Sequence, residues 1–400
     1  MTRQTADIVV LGLGAMGSAT LFQLASRGAD VLGIDQFHPP HELGSSHGET
    51  RVTRLAVAEG TALAPLVRRA HEIWKELEGR TGESLFGQVG FLAISSESSQ
   101  PGAADYVTRT RTVAQRSGVR HELIDPAEAR RRYPWLNVGE EDRVYFEPEG
   151  GYLHPERCVA TQLRLATEAG ARLALGTRVE AIVPHGDHVE IRTDKGTIQA
   201  GRVVVSAGAW AGRLLGPHVA SLLRPTREIL HWYELEPSAP PEWAQAPVYI
   251  WSYGHGAEEG FYGFPAKDGA VKLAHGEKTR VVDPDAFDRS SEEGESRSFY
   301  ARSIDGRLKG LRADASRRKT CLYTVSPDGG FIIDEWPESE RVLVVSPCSG
   351  HGFKHSAAIG EAVSQRVLDG ASRIDLSSFG FGRFDRGREG KIAAGRGSGG

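Results

Sequence analysis

Sulfur is scarce in this chain: 400 residues hold three cysteines and two methionines. Cys158, Cys321 and Cys348 lie far apart and are odd in number, which excludes a disulfide framework and points to a reducing compartment, with the cytoplasm as the default. Long apolar runs are also missing. None reaches the roughly 18–20 residues that a membrane-crossing helix needs. The short apolar stretch at 8–11 runs straight into glycines, with no basic leader or cleavage signal before it, so neither a signal peptide nor a membrane span is expected. Charge of one sign is lacking too: 48 Lys and Arg face 52 Asp and Glu, for a net charge of −4. Without long single-sign blocks there is no global electrostatic reason to expect nucleic acid or an anionic membrane as partner. No metal-ligand spacing, nucleophilic triad or internal repeat is visible. A small-molecule partner remains, handled by a chain long enough for two domains.

What is present starts at the N-terminus. Residues 7–11 read as a strand, Gly12-Leu-Gly14-Ala15-Met16-Gly17 as a turn into an Ala-rich helix ending near Gly28, and Val31-Leu-Gly-Ile-Asp35 as a second strand. Gly12 permits the tight turn, Gly14 lets backbone approach a pyrophosphate, and Gly17 lets the helix pack on the strand. The helix N-terminus adds N–H donors and a favourable dipole, and Asp35 can hold ribose hydroxyls. This unit binds a dinucleotide without separating FAD from NAD. Val203-Val-Val-Ser-Ala-Gly-Ala-Trp210, with Ala207 and Gly208 at its end, resembles the stretch that returns to the nucleotide in the glutathione-reductase-like FAD superfamily. Gly176-Thr-Arg-Val179 is similar to the strand along the adenine in that group, although each stretch taken alone also reads as plain core.

Four further segments follow in order: Gly44-Ser45-Ser46-His47-Gly-Glu-Thr-Arg51-Val-Thr-Arg54, Phe264-Pro-Ala-Lys-Asp-Gly-Ala-Val-Lys272-Leu-Ala-His275, Lys319-Thr-Cys321-Leu-Tyr323-Thr through Phe331-Ile-Ile-Asp334, and Cys348-Ser-Gly350-His351-Gly352-Phe353-Lys354. With these the chain resembles the monomeric sarcosine oxidase and N-methyltryptophan oxidase family, flavoenzymes of the D-amino-acid-oxidase-like superfamily. The resemblance spans nearly the whole chain up to the tail. It implies FAD attached through an 8α-thioether to Cys321. Ser45, His47 and Arg51 then surround the flavin, and Lys272 faces it and activates oxygen, where a preorganised cation stabilises developing superoxide. It further implies that Arg54 and Lys354 hold a substrate carboxylate and that Tyr262 and Tyr323 shape the amine site. Gly350 and Gly352 allow the loop through His351, Phe353 and Lys354 to come close to the flavin's N1–C2 carbonyl edge. Three positions depart from the pattern. Ser46 stands where a second histidine is expected. His275 falls one residue short of a substrate-contacting histidine, whose place Gly276 takes. Cys348 replaces an aromatic or small residue and is read as packing or pocket lining. Lys267, in the same loop as Lys272, is read as solvent exposed.

The fold this implies is α/β: a Rossmann-like FAD-binding domain of the glutathione-reductase-like type, with an inserted α+β substrate domain on a mostly antiparallel sheet. We place the first in residues 1–83, 143–214 and 319–382 and the second in 84–142 and 215–318. The Gly- and Arg-rich tail, 383–400, should be disordered. Trp251 and Tyr253 line a roomy pocket or simply pack. The implied reaction is oxidation of a secondary or cyclic amino acid by hydride-equivalent transfer to flavin N5. The imine is the product, and O2 returns as hydrogen peroxide. The expected protein is a cytoplasmic monomer with no nucleic acid, membrane or metal partner. Two alternatives stand: a dehydrogenase passing electrons to a non-oxygen acceptor, and a catalytically silent nucleotide-binding scaffold.

Overall fold

The computed structural model describes residues 4–96, 105–254 and 259–384. The chain forms two compact units: Met1–His41, Val159–Arg224 and Thr324–Gly400 in the first, Glu42–Cys158 and Pro225–Tyr323 in the second.

In the first unit the strands run Val179–Pro184, Val189–Thr193, Gly196–Val205, Gln4–Leu11, Val31–Ile34, Arg172–Ala174 across one sheet. The pairs from Gly196–Val205 to Arg172–Ala174 are parallel, and Ser339–Ser346 joins Gly196–Val205 in parallel on its other side. Parallel strands covered on both faces need nearly continuous apolar runs, and Val9, Val10, Val203, Val204, Val205 and Val344 are all buried. Helix Ala15–Ser26 packs against helix Ser356–Asp369. Gly360 makes this approach possible, because a Cβ there would lie 2.5 Å from the Ala19 carbonyl carbon.

The second unit is built on an eight-stranded sheet in the order Leu311–Val325, Arg224–Leu235, Ala270–Ala274, Gly260–Gly263, Val248–Ser252, Phe91–Ser95, Arg143–Glu147, Glu122–Ile124. Its neighbours pair antiparallel from Arg224–Leu235 onward, except Val248–Ser252 with Phe91–Ser95. A large aromatic core fills one side: Trp135 stacks on Trp243 at 4.3 Å and lies 5.0 Å from Tyr249, a geometry that adds to simple area burial.

This is the expected α/β architecture with a mostly antiparallel second sheet. The partition differs in detail. Residues 42–83, 143–158 and 319–323, expected with the nucleotide-binding part, lie in the second unit, and 215–224, expected with the substrate domain, lie in the first. Strand pairing is the reason: Arg51–Thr53 is hydrogen-bonded to Gly151–Leu153, and Arg143–Glu147 to Phe91–Ser95. Trp251 is core, its indole N–H donating to Ser96 Oγ at 2.7 Å. Tyr253 hydrogen-bonds Ser303 Oγ at 2.7 Å beneath Arg307. Of the tail, 385–400 lie outside the described residues, while Arg383 donates to Asp328 at 2.7 Å. No helix among the described residues is long and apolar enough to cross a membrane.

Candidate active site

The nucleotide signature assembles in the first unit as its local sequence requires. Gly12 adopts φ +83°, and a Cβ on it would fall 2.6 Å from the Ser206 carbonyl oxygen. A Cβ on Gly17 would collide with the Gly12 carbonyl. Helix Ala15–Ser26 starts at Gly14 with no side-chain cap, and no acidic residue stands in its first turn at Ala15, Met16 or Gly17, which favours an anion there. Asp35 is fixed by accepting the N–H groups of Leu13 and Phe37, each at 2.8 Å. Thr177 N–H donates to the Asp35 carbonyl at 2.9 Å, bringing the segment that leads to Val179 beside the acid. Ser206 Oγ donates to the Gly12 carbonyl at 2.8 Å and joins the turn to Ala207 and Gly208.

The glycine-rich loop belongs to the same unit. Ser349 and Gly350 have φ of +46° and +83°, and Gly352 has no room for a Cβ against the Pro347 carbonyl. Thr324 N–H donates to Cys348 Sγ at 3.3 Å and Ser349 N–H to the Thr324 carbonyl at 2.9 Å, so the start of the loop is tied to Thr324. His351 stacks on Phe331, with ring centroids 4.8 Å apart, and Phe353 opens the turn into helix Ser356–Asp369. Lys354 is buried, its Nζ donating to the His351 carbonyl at 2.6 Å.

The second unit gathers His47, Arg51, Lys272, Cys321, Tyr262 and Tyr323. The loop carrying Ser45, His47 and Arg51 is held by Glu156, which accepts the N–H groups of Gly48 and Glu49 at 2.6 and 3.0 Å. Arg51 donates to the Ser45 carbonyl at 2.7 Å and lies 3.6 Å from Cys321 Sγ. Lys272, on strand Ala270–Ala274, donates to the carbonyls of Gly48 and Thr50 at 2.5 and 2.8 Å and stands 4.7 Å from the Phe264 ring centroid. Burial, then Arg51, pushes the Lys272 ammonium well below its usual range. Burial, followed by Arg51, Lys272 and Lys319, pushes His47 down to about 3, so this imidazole is neutral at physiological pH. Neither His47 ring nitrogen has a hydrogen bond of good geometry, although the Gly44 backbone lies near enough to favour the charged form slightly. The Tyr262 and Tyr323 hydroxyls are 3.4 Å apart. Among the described residues neither Arg51 nor Lys272 has an ion-pair partner; the Arg51 guanidinium, which stays charged, suits a ring system that becomes negative on reduction, while Lys272 is biased toward its neutral form until an anion arrives beside it.

The two residues expected to hold a substrate carboxylate are engaged by the protein's own groups. Arg54 donates to both oxygens of Glu59 at 2.8 and 2.9 Å, beside the Phe91 ring. Burial works against its charge, but Glu59 outweighs burial and the guanidinium is raised above its ordinary value. Lys354 lies in the first unit. Lys267 is exposed, as expected. Sequence reasoning missed Glu59, Glu156 and Glu228, a buried carboxyl on strand Arg224–Leu235. Nothing local to these glutamates announced them.

Residues 7–366 match the family model described as FAD dependent oxidoreductase. The chain is 33% identical over 384 residues to the monomeric sarcosine oxidase of Bacillus sp. (strain B-0618), covering 94% of this chain and 96% of the relative. It is 36% identical over 383 residues to the N-methyl-L-tryptophan oxidase of Yersinia pestis, covering 94% and 99%. In fold it is similar to NikD, an unusual amino acid oxidase essential for nikkomycin biosynthesis, with a TM-score of 0.80 at 23% identity over 94% of this chain and 97% of that one.

Proposed function

The chain belongs to the FAD dependent oxidoreductase family, and from that premise we propose that it is an oxidase of a secondary or cyclic amino acid, either N-methylated or proline- and pipecolate-like. The observation that carries this reading is the buried group of Arg51 and Lys272, without ion-pair partners among the described residues, beside Cys321 and the Tyr262–Tyr323 pair. When bound, FAD supplies the acceptor for the hydride equivalent from the substrate's C–N bond and the electrons that turn O2 into hydrogen peroxide.

The protein's part is to bind, orient and hold charge. Gly12, Gly14, Ala15, Met16 and Gly17 would receive the pyrophosphate, Asp35 the ribose and Val179 the adenine side, with Ala207 and Gly208 closing the turn. Ser45, His47 and Arg51 would border the flavin ring, as would the loop Gly350, His351, Gly352, Phe353. Cys321 is the residue that would anchor it covalently. Lys272 holds positive charge where oxygen is reduced. Arg54 and Lys354 would take the substrate carboxylate. The carboxylate that Arg54 already holds, that of Glu59, is the kind of partner it would exchange for a substrate's. Tyr262 and Tyr323 would shape the amine end. A monomer follows from the resemblance, the cytoplasm from three scattered cysteines, and the lack of a nucleic-acid or membrane partner from the balanced charge.

The test is peroxide release by the purified yellow protein with sarcosine, N-methyltryptophan, proline and pipecolate, following formaldehyde in parallel. We expect peroxide with at least one. Formaldehyde beside it identifies an N-demethylating oxidase, its absence a cyclic imino-acid oxidase, and no peroxide with any of the four rejects the reading. Intact mass of the denatured chain reports the Cys321 linkage, which complete release of FAD on acid precipitation would refute.

A further inference from the structure

Glu228 sits on strand Arg224–Leu235 of the second unit, 2% exposed. Its Oε1 accepts from the Thr226 hydroxyl at 3.0 Å and from Lys278 N–H at 3.1 Å, while Oε2 is buried without a hydrogen bond. No cation among the described residues lies at ion-pair distance from it. A buried carboxyl oxygen with no partner is unfavourable and calls for a donor.

The surroundings say what that donor is. Gly276 follows strand Ala270–Ala274, the antiparallel neighbour of the strand bearing Glu228. A Cβ on Gly276 would face Tyr323, 3.7 Å from its Cε2. Here the resemblance leads one to expect a histidine; the chain instead has a glycine, whose Cβ would be in ordinary contact with Tyr323 and, at 3.9 Å, with Lys278 Cε, and Glu228 accepts the Lys278 N–H. The charge of Glu228 is felt at both Tyr262 and Tyr323, whose phenols are raised by burial first and by Glu228 among lesser causes. Burial, reinforced by Glu277 and opposed by Thr226 and Lys278, lifts Glu228 to about 7. An amino acid arrives from neutral water as an ammonium ion, and oxidation of its C–N bond needs the free nitrogen lone pair. A base that titrates near the working pH suits that proton transfer.

We propose that Glu228 is a catalytic base, its Oε2 receiving the proton of the substrate's ammonium group at the amine end of the pocket. The N–H bond breaks, the O–H bond forms and no electrons change hands. Glu228 stays neutral while the amine is oxidised and gives its proton to solvent between turnovers. This role rests on the amino-acid oxidase reading above.

Glu228→Gln keeps the shape and the contacts to Thr226 and Lys278 but cannot titrate. With the best substrate of the peroxide assay, kcat/KM of the unaltered protein should show an acid limb near neutrality. In the variant that limb should move up to the substrate's own amine range, with a loss of roughly 100-fold at pH 7 and little loss at high pH. An unmoved limb, or an equal loss at every pH, overturns the role. A readout without turnover is the infrared band of a protonated carboxyl in the flavin-loaded, substrate-free protein: it should titrate near neutrality and vanish in Glu228→Gln. Its absence from the unaltered protein also overturns the assignment. An unaltered protein inactive on all four amino acids removes the substrate reading and this role together, whereas an active one with an unchanged variant profile removes this role alone.

Discussion

At the residue scale, Lys272 is held by three oxygens, the carbonyls of Gly48 and Thr50 and Thr50 Oγ1, and is opposed by burial and by Arg51. Its ammonium is therefore short of negative charge, and an anion arriving beside it raises its proton affinity and is itself stabilised. Lys272→Met should slow reoxidation of the reduced flavin by oxygen at least roughly 100-fold and leave anaerobic bleaching by substrate nearly unchanged; stopped-flow measurement of the two half-reactions checks this, and equal effects on both would sink the assignment. The residues of this cluster were legible because they stand in compact motifs: His47 and Arg51 in one loop, Cys321 and Tyr323 two apart on one strand. Arg54 was legible as a carboxylate-binding type but not in its pairing, because Glu59 carries no signature of its own. Glu156 and Glu228 were illegible for a stronger reason. Glu156 acts on Gly48 from 108 positions away, and Glu228 is an ordinary polar residue in a strand until burial strips its solvent.

At the element scale, glycines mark where backbones approach closely, and their costs differ with what surrounds them. Gly360 on helix Ser356–Asp369 meets Ala19 of helix Ala15–Ser26, with the Ala19 Cβ 2.6 Å from where its own would stand. Gly79 on helix Ala64–Thr81 meets nothing within 4 Å. Gly360→Val should therefore destabilise the protein by about 2–3 kcal/mol through overpacking. Gly79→Ala should stabilise it by about 0.5–1 kcal/mol through helix propensity. Chemical denaturation of both variants measures the contrast. The helix entry at Gly17 could be read from sequence because its clash is with Gly12, within one strand-turn-helix unit, and Gly12 could be read from the turn it must make at φ +83°. The helix contact at Gly360 could not, since its partner is more than three hundred residues away in the chain.

At the scale of the whole molecule, a net charge of −4 does not itself hold copies apart, and the monomer is what the resemblance to the sarcosine oxidase family implies. Sedimentation equilibrium should therefore return the mass of one chain with its flavin at micromolar concentration, and a concentration-dependent rise toward twice that mass would contradict the monomer. By itself the sequence determined the α/β class, the strand-turn-helix-strand unit at 7–35 and the order of the four motifs, because each is carried by local pattern within a span of about thirty positions or fewer. Periodicity, turn chemistry and glycine spacing act at that range. Tertiary structure alone decided that 42–83 and 143–158 join the second unit, that Trp251 is core, that Arg54 meets Glu59 and that Glu228 is buried against Lys278 N–H. Those outcomes depend on strand pairing and desolvation between residues remote in sequence, and neither is fixed until the chain has closed on itself.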